Sequence, residues 1–156
     1  MVYNCGENGY STEPALIPNP ENLEEIFPQS DIISLHCPLT TTTNGLINKH
    51  TIAQMKKDVC IINTARGAIV NEKDLFQALI DKKVGGAALD VFEDEPPSFD
   101  NPLFALDNVI FTPHIGGASY NSLKNMGIDA TRNVLSILKG SSVDPECLLN
   151  KEVFET

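Results

Sequence analysis

Four short apolar runs at even spacing constrain this chain more than anything else in it. They are Asp31-Ile32-Ile33-Ser34-Leu35, Val59 to Ile62, Ala87-Ala88-Leu89 with Val91, and Val109-Ile110-Phe111. Within each run the apolar residues are nearly continuous rather than alternating. That is the pattern of strands covered on both faces, as in a parallel sheet. Helical spacing lies between the runs. Pro20 to Phe27 predicts one short helix, and Thr51 to Lys57 another, with Ile52 and Met55 on one side. Asn71 to Lys82 is the clearest, with Leu75, Ala78 and Leu79 on one face and Asn71 as its cap. Strand, helix, strand repeated in this way predicts an α/β fold built on a doubly wound parallel sheet. After the fourth run the pattern changes. Ser119 to Leu138 reads as one long helix, with Leu123, Met126, Ala130, Val134, Ile137 and Leu138 on a stripe and Gly140 beyond its end. Residues 139–156 read as an irregular tail.

Composition narrows the function classes. The chain has 156 residues, 42% hydrophobic and 21% charged, with a net charge of −10. No basic face is visible, which argues against nucleic acid or an anionic membrane as partner. No apolar run approaches the ~18 residues of a membrane span. The N-terminus "MVYNCGENGY" lacks a basic segment followed by an apolar core, so no signal peptide is expected. None of Cys5, Cys37, Cys60 and Cys147 forms a C-x-x-C pair. Neither a metal site nor a disulfide framework is expected, and a reducing cytoplasm is the simplest setting.

Ligands of such sheets bind beyond the carboxyl ends of the strands. The residues found there are "HCPLT", "TARG", "DVFEDEPP" and "TPHIGG". If the sheet is parallel, His36, Arg66, Asp90, Glu93, Asp94, Glu95 and His114 converge on one edge. His114 is either a satisfied loop histidine or a proton donor; the two glycines that follow suggest close approach of backbone to a ligand. Glu93 and Asp94 read as a solvated acidic run. Glu95 precedes Pro96 and Pro97, which stiffen the backbone around it. Asp90 either reaches a ligand or caps a turn. Arg66 either pairs with a carboxylate of its own sheet or faces a substrate carboxylate, for which the guanidinium fork is well shaped. An Arg, a His and a Glu on neighbouring strand ends suggest reduction of a 2-keto acid, with a nicotinamide as the source of hydride.

The segments "SLHCPLTTTTNGLIN", "INTARGAIVNEKDLFQAL", "GGAALDVFEDEPP" and "NPLFALDNVIFTPHIGGAS", with the long helix after them, resemble the D-isomer-specific 2-hydroxyacid dehydrogenases. The phosphoglycerate, glycerate and glyoxylate/hydroxypyruvate enzymes are nearest in style. Formate dehydrogenases, with Gln where Glu95 stands, and the D-lactate branch, with a different loop after the histidine, are less similar. The resemblance implies a Rossmann-like fold in which Arg66 anchors the substrate carboxylate, His114 is the acid/base and Glu95 is its partner. It also implies that Cys37, Pro38, Thr64, Ala65, Arg66, Asp90, His114, Gly116 and Gly117 line an NAD site, with NADP left open. A small 2-keto or 2-hydroxy acid substrate is implied as well. A homo-oligomer is expected on another ground: part of the apolar stripe of Ser119 to Leu138 would be exposed and covered by another chain.

One departure stands out. No G-x-G-x-x-G occurs, and Gly6 and Gly9 in "CGENG" have the wrong spacing. In the family that fingerprint precedes the strand that "VYNC" resembles. The expectation is a partial NAD(P)-binding domain over residues 1–138, truncated at its N-terminus, with no separate substrate domain. Asn4 stands near the position of the family's ribose-binding Asp. The alternative to an oxidoreductase is a non-catalytic module derived from that fold, sensing a nucleotide or binding a protein, as the family's corepressor relatives do.

Overall fold

A computed structural model describes residues 23–144, 147 and 148. The VYNC segment, Gly6 and Gly9 lie outside the described residues. In chain order the elements are α1 (Leu23–Ile26), β1 (Ile32–Leu35), α2 (Lys49–Gln54), β2 (Val59–Asn63), α3 (Glu72–Ile80), β3 (Val84–Leu89), β4 (Val109–Phe111) and α4 (Tyr120–Leu138), with 3-10 turns at Gly67–Ile69 and Pro102–Ala105. The four strands form one sheet in the order β1-β2-β3-β4, every pair parallel. This is the Rossmann-like arrangement expected from the strand-helix alternation.

The helices start where side chains satisfy their first amides. Asn48 caps α2 in a reciprocal box with Thr51, and Asn71 caps α3 through the amide of Asp74. Ser119 caps α4 through the amide of Ser122. Register then sets the core. Ile33, Ile61, Ala87 and Val109 lie in one row across the sheet, and all four are buried. Leu75 and Leu79 of α3 and Ile52 of α2 belong to the same buried cluster.

The sheet departs from expectation in one respect. Near-continuous apolar runs implied cover on both faces. Instead the opposite row exposes Ile32, Cys60 and Ile110, with Ile62 and Ala88 half-buried. A continuous apolar run is silent about which face is covered, because every side chain in it qualifies for burial.

The chain divides into two compact units, the first ending at Gly116 and the second beginning at Gly117. In the second unit the stripe of α4 is exposed along its length, including Leu123, Met126, Val134, Ile137 and Leu138.

Leu75 is fully buried. Leu75→Ala is expected to lower unfolding free energy by about 2–5 kcal/mol in urea denaturation. Leu123→Ala on α4 should cost within about 0.5 kcal/mol; an equal loss there would show that the face of α4 is covered in solution.

Candidate active site

Because all four strands run the same way, the segments that follow them emerge at one edge. At the end of β2 Asn63 has no exposed surface. Its Nδ2 donates to the carbonyl of Arg66 (2.9 Å), and its Oδ1 accepts from the amide of Ala65 (3.1 Å). This buried amide folds Thr64-Ala65-Arg66 into a tight turn. Its carbonyl also accepts the amide of Asp90 (2.9 Å), which joins the end of β2 to the end of β3. Nothing in the apolar pattern singled out Asn63, although a polar residue closing an otherwise apolar strand was a usable signal.

Arg66 is exposed. Its Nη1 donates to the carbonyl of Ala65 (2.6 Å), and it makes no ion pair among the described residues. The reading of Arg66 as partner of a carboxylate in its own sheet is therefore not realised. The cost of burying a charge at a strand end does not arise either, since the guanidinium lies in solvent. Gly67 explains how close the neighbouring loop can come: a Cβ there would lie 1.7 Å from the carbonyl oxygen of Phe92. Only a residue without a side chain lets the Arg66 turn rest on the backbone of the loop that carries Glu95.

That loop is pinned at three points. Glu93 and Glu72 exchange hydrogen bonds, the amide of each donating to the carboxylate of the other (2.8 and 2.7 Å). Glu93 is thus more than the solvated acid expected; it docks the loop on the first turn of α3, where a carboxylate is favoured. Oε1 of Glu95 accepts from the amide of Phe92 (3.1 Å). Phe92, Phe104 and Phe111 pack together below, with ring centroids 5.0 to 5.9 Å apart.

Oε2 of Glu95 lies 2.8 Å from Nδ1 of His114. The hydrogen bond from His114 holds the Glu95 carboxyl below its usual range, followed by the Phe92 amide, with the Arg66 charge a lesser contributor. An ionised carboxylate only accepts, so Nδ1 carries the hydrogen and Nε2 is turned to other work. Asp90 is buried, and its carboxyl is also held low, chiefly by the Thr112 hydroxyl.

Two cavities share this edge. One, of about 430 Å³, is bordered by Asp90, Glu95 and His114 and walled by the three phenylalanines with Pro96, Pro97 and Pro113. The other, of about 550 Å³, is lined by His36, Cys37, Pro38, Leu39, Thr64, Ala65 and Arg66. The structure thus groups Cys37, Pro38, Thr64, Ala65 and Arg66 at one cavity and Asp90, Glu95 and His114 at the other. Gly116 lies against Asp90, and Gly117 opens the second unit. No group of side chains suited to hold a metal occurs among the described residues.

Residues 2–116 match the sequence profile of the D-isomer specific 2-hydroxyacid dehydrogenase, NAD binding domain. The chain belongs to that family. It is 44% identical over 157 residues to a glyoxylate reductase of Thermofilum pendens, covering 99% of this chain and 45% of that one. It is 46% identical over 125 residues to a D-3-phosphoglycerate dehydrogenase of Bacillus subtilis, covering 80% and 24%. Among solved structures, the TT0316 protein of Thermus thermophilus superposes with a TM-score of 0.78 at 38% identity, covering 90% of this chain and 43% of that one. A D-lactate dehydrogenase of Aquifex aeolicus, complexed with NAD and lactic acid, gives 0.68 at 37%, covering 75% and 40%. The chain spans less than half the length of each of these relatives. NAD is the cofactor that goes with the family's domain.

Two outcomes test this geometry. Gly67→Ala is expected to destabilise the fold by more than the ~1 kcal/mol typical of a point substitution, because the clash is with backbone; thermal unfolding reads it. Glu95 has its folded pKa lowered, so its contribution to stability is present above its ordinary value of 4.5 and lost as pH falls through the folded value. The native chain should therefore lose stability more steeply below that pH than Glu95→Gln does, in denaturation curves taken at stepped pH.

Proposed function

We propose that this chain carries the NAD-side chemistry of an oxidoreductase that interconverts a 2-keto acid and a D-2-hydroxy acid. The observation that supports this most directly is the His114–Glu95 pair at 2.8 Å, on the same sheet edge as an Arg66 guanidinium with no ion-pair partner among the described residues. Arg66 anchors the substrate carboxylate, for which its planar fork is suited. His114 gives a proton from Nε2 to the carbonyl oxygen at C2, while Glu95 holds Nδ1–H and balances the imidazolium that exists before transfer. Oxidation runs the same steps backwards, with Nε2 taking the hydroxyl proton.

The cavity of about 550 Å³ fits the cofactor side of such a site. Its size falls within the range of small-molecule clefts, ~300–1,000 Å³. Cys37, Pro38 and Ala65 offer small apolar surface, and Thr64 offers a hydroxyl. When bound, the nicotinamide supplies or accepts the hydride at C2. Asp90, His114 and Gly116 border the same edge. Glyoxylate and hydroxypyruvate are the substrates of choice for a first assay, since a glyoxylate reductase and a hydroxypyruvate reductase are among the similar proteins. Self-association is part of this reading, supported by the exposed stripe of α4. A cytoplasmic setting is part of this reading.

In an NADH-oxidation assay with these two keto acids, His114→Asn is expected to lower turnover by roughly 10²–10⁴-fold. Arg66→Lys should weaken keto-acid reduction by more than it weakens NADH binding, read by fluorescence titration. Unchanged turnover in His114→Asn would overturn the mechanism. NADH binding by the native chain with no turnover on any 2-keto acid would favour the nucleotide-sensing module instead.

A further inference from the structure

The loop that carries His114 is organised around a different residue. Oδ1 of Asp90 accepts the hydroxyl of Thr112 and the amide of Ile115 (2.9 Å), and Oδ2 accepts the amide of Gly116 (2.7 Å). The carbonyl of Asp90 accepts the amide of His114 itself (2.9 Å). Donors from both sides of the histidine thus converge on one buried residue. Between them His114 holds a φ of +53°. For a residue with a side chain that conformation is strained and persists only where its surroundings over-determine it. Gly116 completes the fit, since a Cβ there would lie 2.9 Å from Oδ2 of Asp90.

We propose that Asp90 is the positioning residue of the acid/base loop: with Thr112 it holds the Thr112–Gly116 turn in the shape that aims Nδ1 of His114 at Glu95. This rests on the proposed His114–Glu95 pair, but on contacts separate from it. Of the two readings of Asp90, ligand contact and turn cap, it takes up the second. A carboxylate offers about four acceptor positions, and the loop uses three of them.

Asp90→Asn is the informative substitution. One acceptor oxygen becomes an NH2 group, so whichever way the amide turns, a donor faces a donor. Thr112→Val removes one bond and leaves the charge. The chain has three histidines, His36, His50 and His114, so the imidazole nitrogens can be followed individually by ¹⁵N NMR in the full chain. The readout is the tautomer of neutral His114, which a merely structural loss elsewhere in the sheet would not move. The native chain is expected to carry the hydrogen on Nδ1. D90N should shift most of it to Nε2, as E95Q does, and T112V should shift part of it. The amides of Ile115 and Gly116 should exchange about tenfold faster in D90N, the effect of one lost charge-assisted bond. A folded D90N that keeps the Nδ1 tautomer and native exchange at Ile115 and Gly116 overturns the inference. Should D90N fail to fold, the same native behaviour in T112V overturns it. An Nε2 tautomer in the native chain overturns the His114–Glu95 pair, and this inference with it.

Discussion

The buried amide of Asn63 is the contact on which the site edge depends. It lies at the end of β2 with no exposed surface, and both ends of its side chain are occupied by the turn it creates. Its backbone carbonyl is bound as well, by the amide of Asp90. A side chain that lacked either half of the amide would leave a buried donor or acceptor unsatisfied, at about 1–3 kcal/mol. It would also release Arg66 from its turn. Stability and site geometry therefore run through the same side chain.

From that join the order spreads outward by close backbone approach. Gly67 lets the Arg66 turn rest on the carbonyl of Phe92, and Gly116 lets the His114 loop rest on the carboxylate of Asp90. A Cβ at Gly67 would collide with backbone, and one at Gly116 would push the Asp90 carboxylate aside. The two glycines place three loops from three strands within reach of one another, without any of them belonging to regular secondary structure. The aromatic cluster of Phe92, Phe104 and Phe111 supplies the apolar floor beneath.

Much of this was legible in the residues. β1, β2, β4 and the second half of β3 were, because near-continuous apolar runs bounded by turn residues have few other readings. The N-cap of α3 was legible because Asn71 precedes a strongly periodic segment. The meeting of Glu95 and His114 at one strand edge followed from parallelism, while Arg66 lines the neighbouring cavity. The first half of β3 was not legible, since Val84-Gly85-Gly86 carries little apolar mass. Gly85 is there because a Cβ would crowd the carbonyl of Asp58, 2.7 Å away, and close approach leaves no periodic trace. The roles of Asn63, Thr112 and Glu93 were hidden for a related reason. Thr112 and Glu93 act through hydrogen bonds to Asp90 and Glu72, 22 and 21 positions away, and Asn63 through short-range bonds that leave no trace in an apolar pattern. Which face of the sheet is covered could not be read from runs that are apolar throughout.

The double anchoring of the Glu95 loop has a consequence for disorder. A free glutamate side chain samples many rotamers, and fixing one costs up to ~1.5–2 kcal/mol of conformational entropy. In this chain one carboxylate oxygen is already tied to the amide of Phe92, and the backbone two residues before Glu95 is tied to α3. The rotamer is chosen when the domain folds. His114 then meets a carboxylate that has almost no freedom left to lose, so protonating or deprotonating the imidazole requires little rearrangement of its partner.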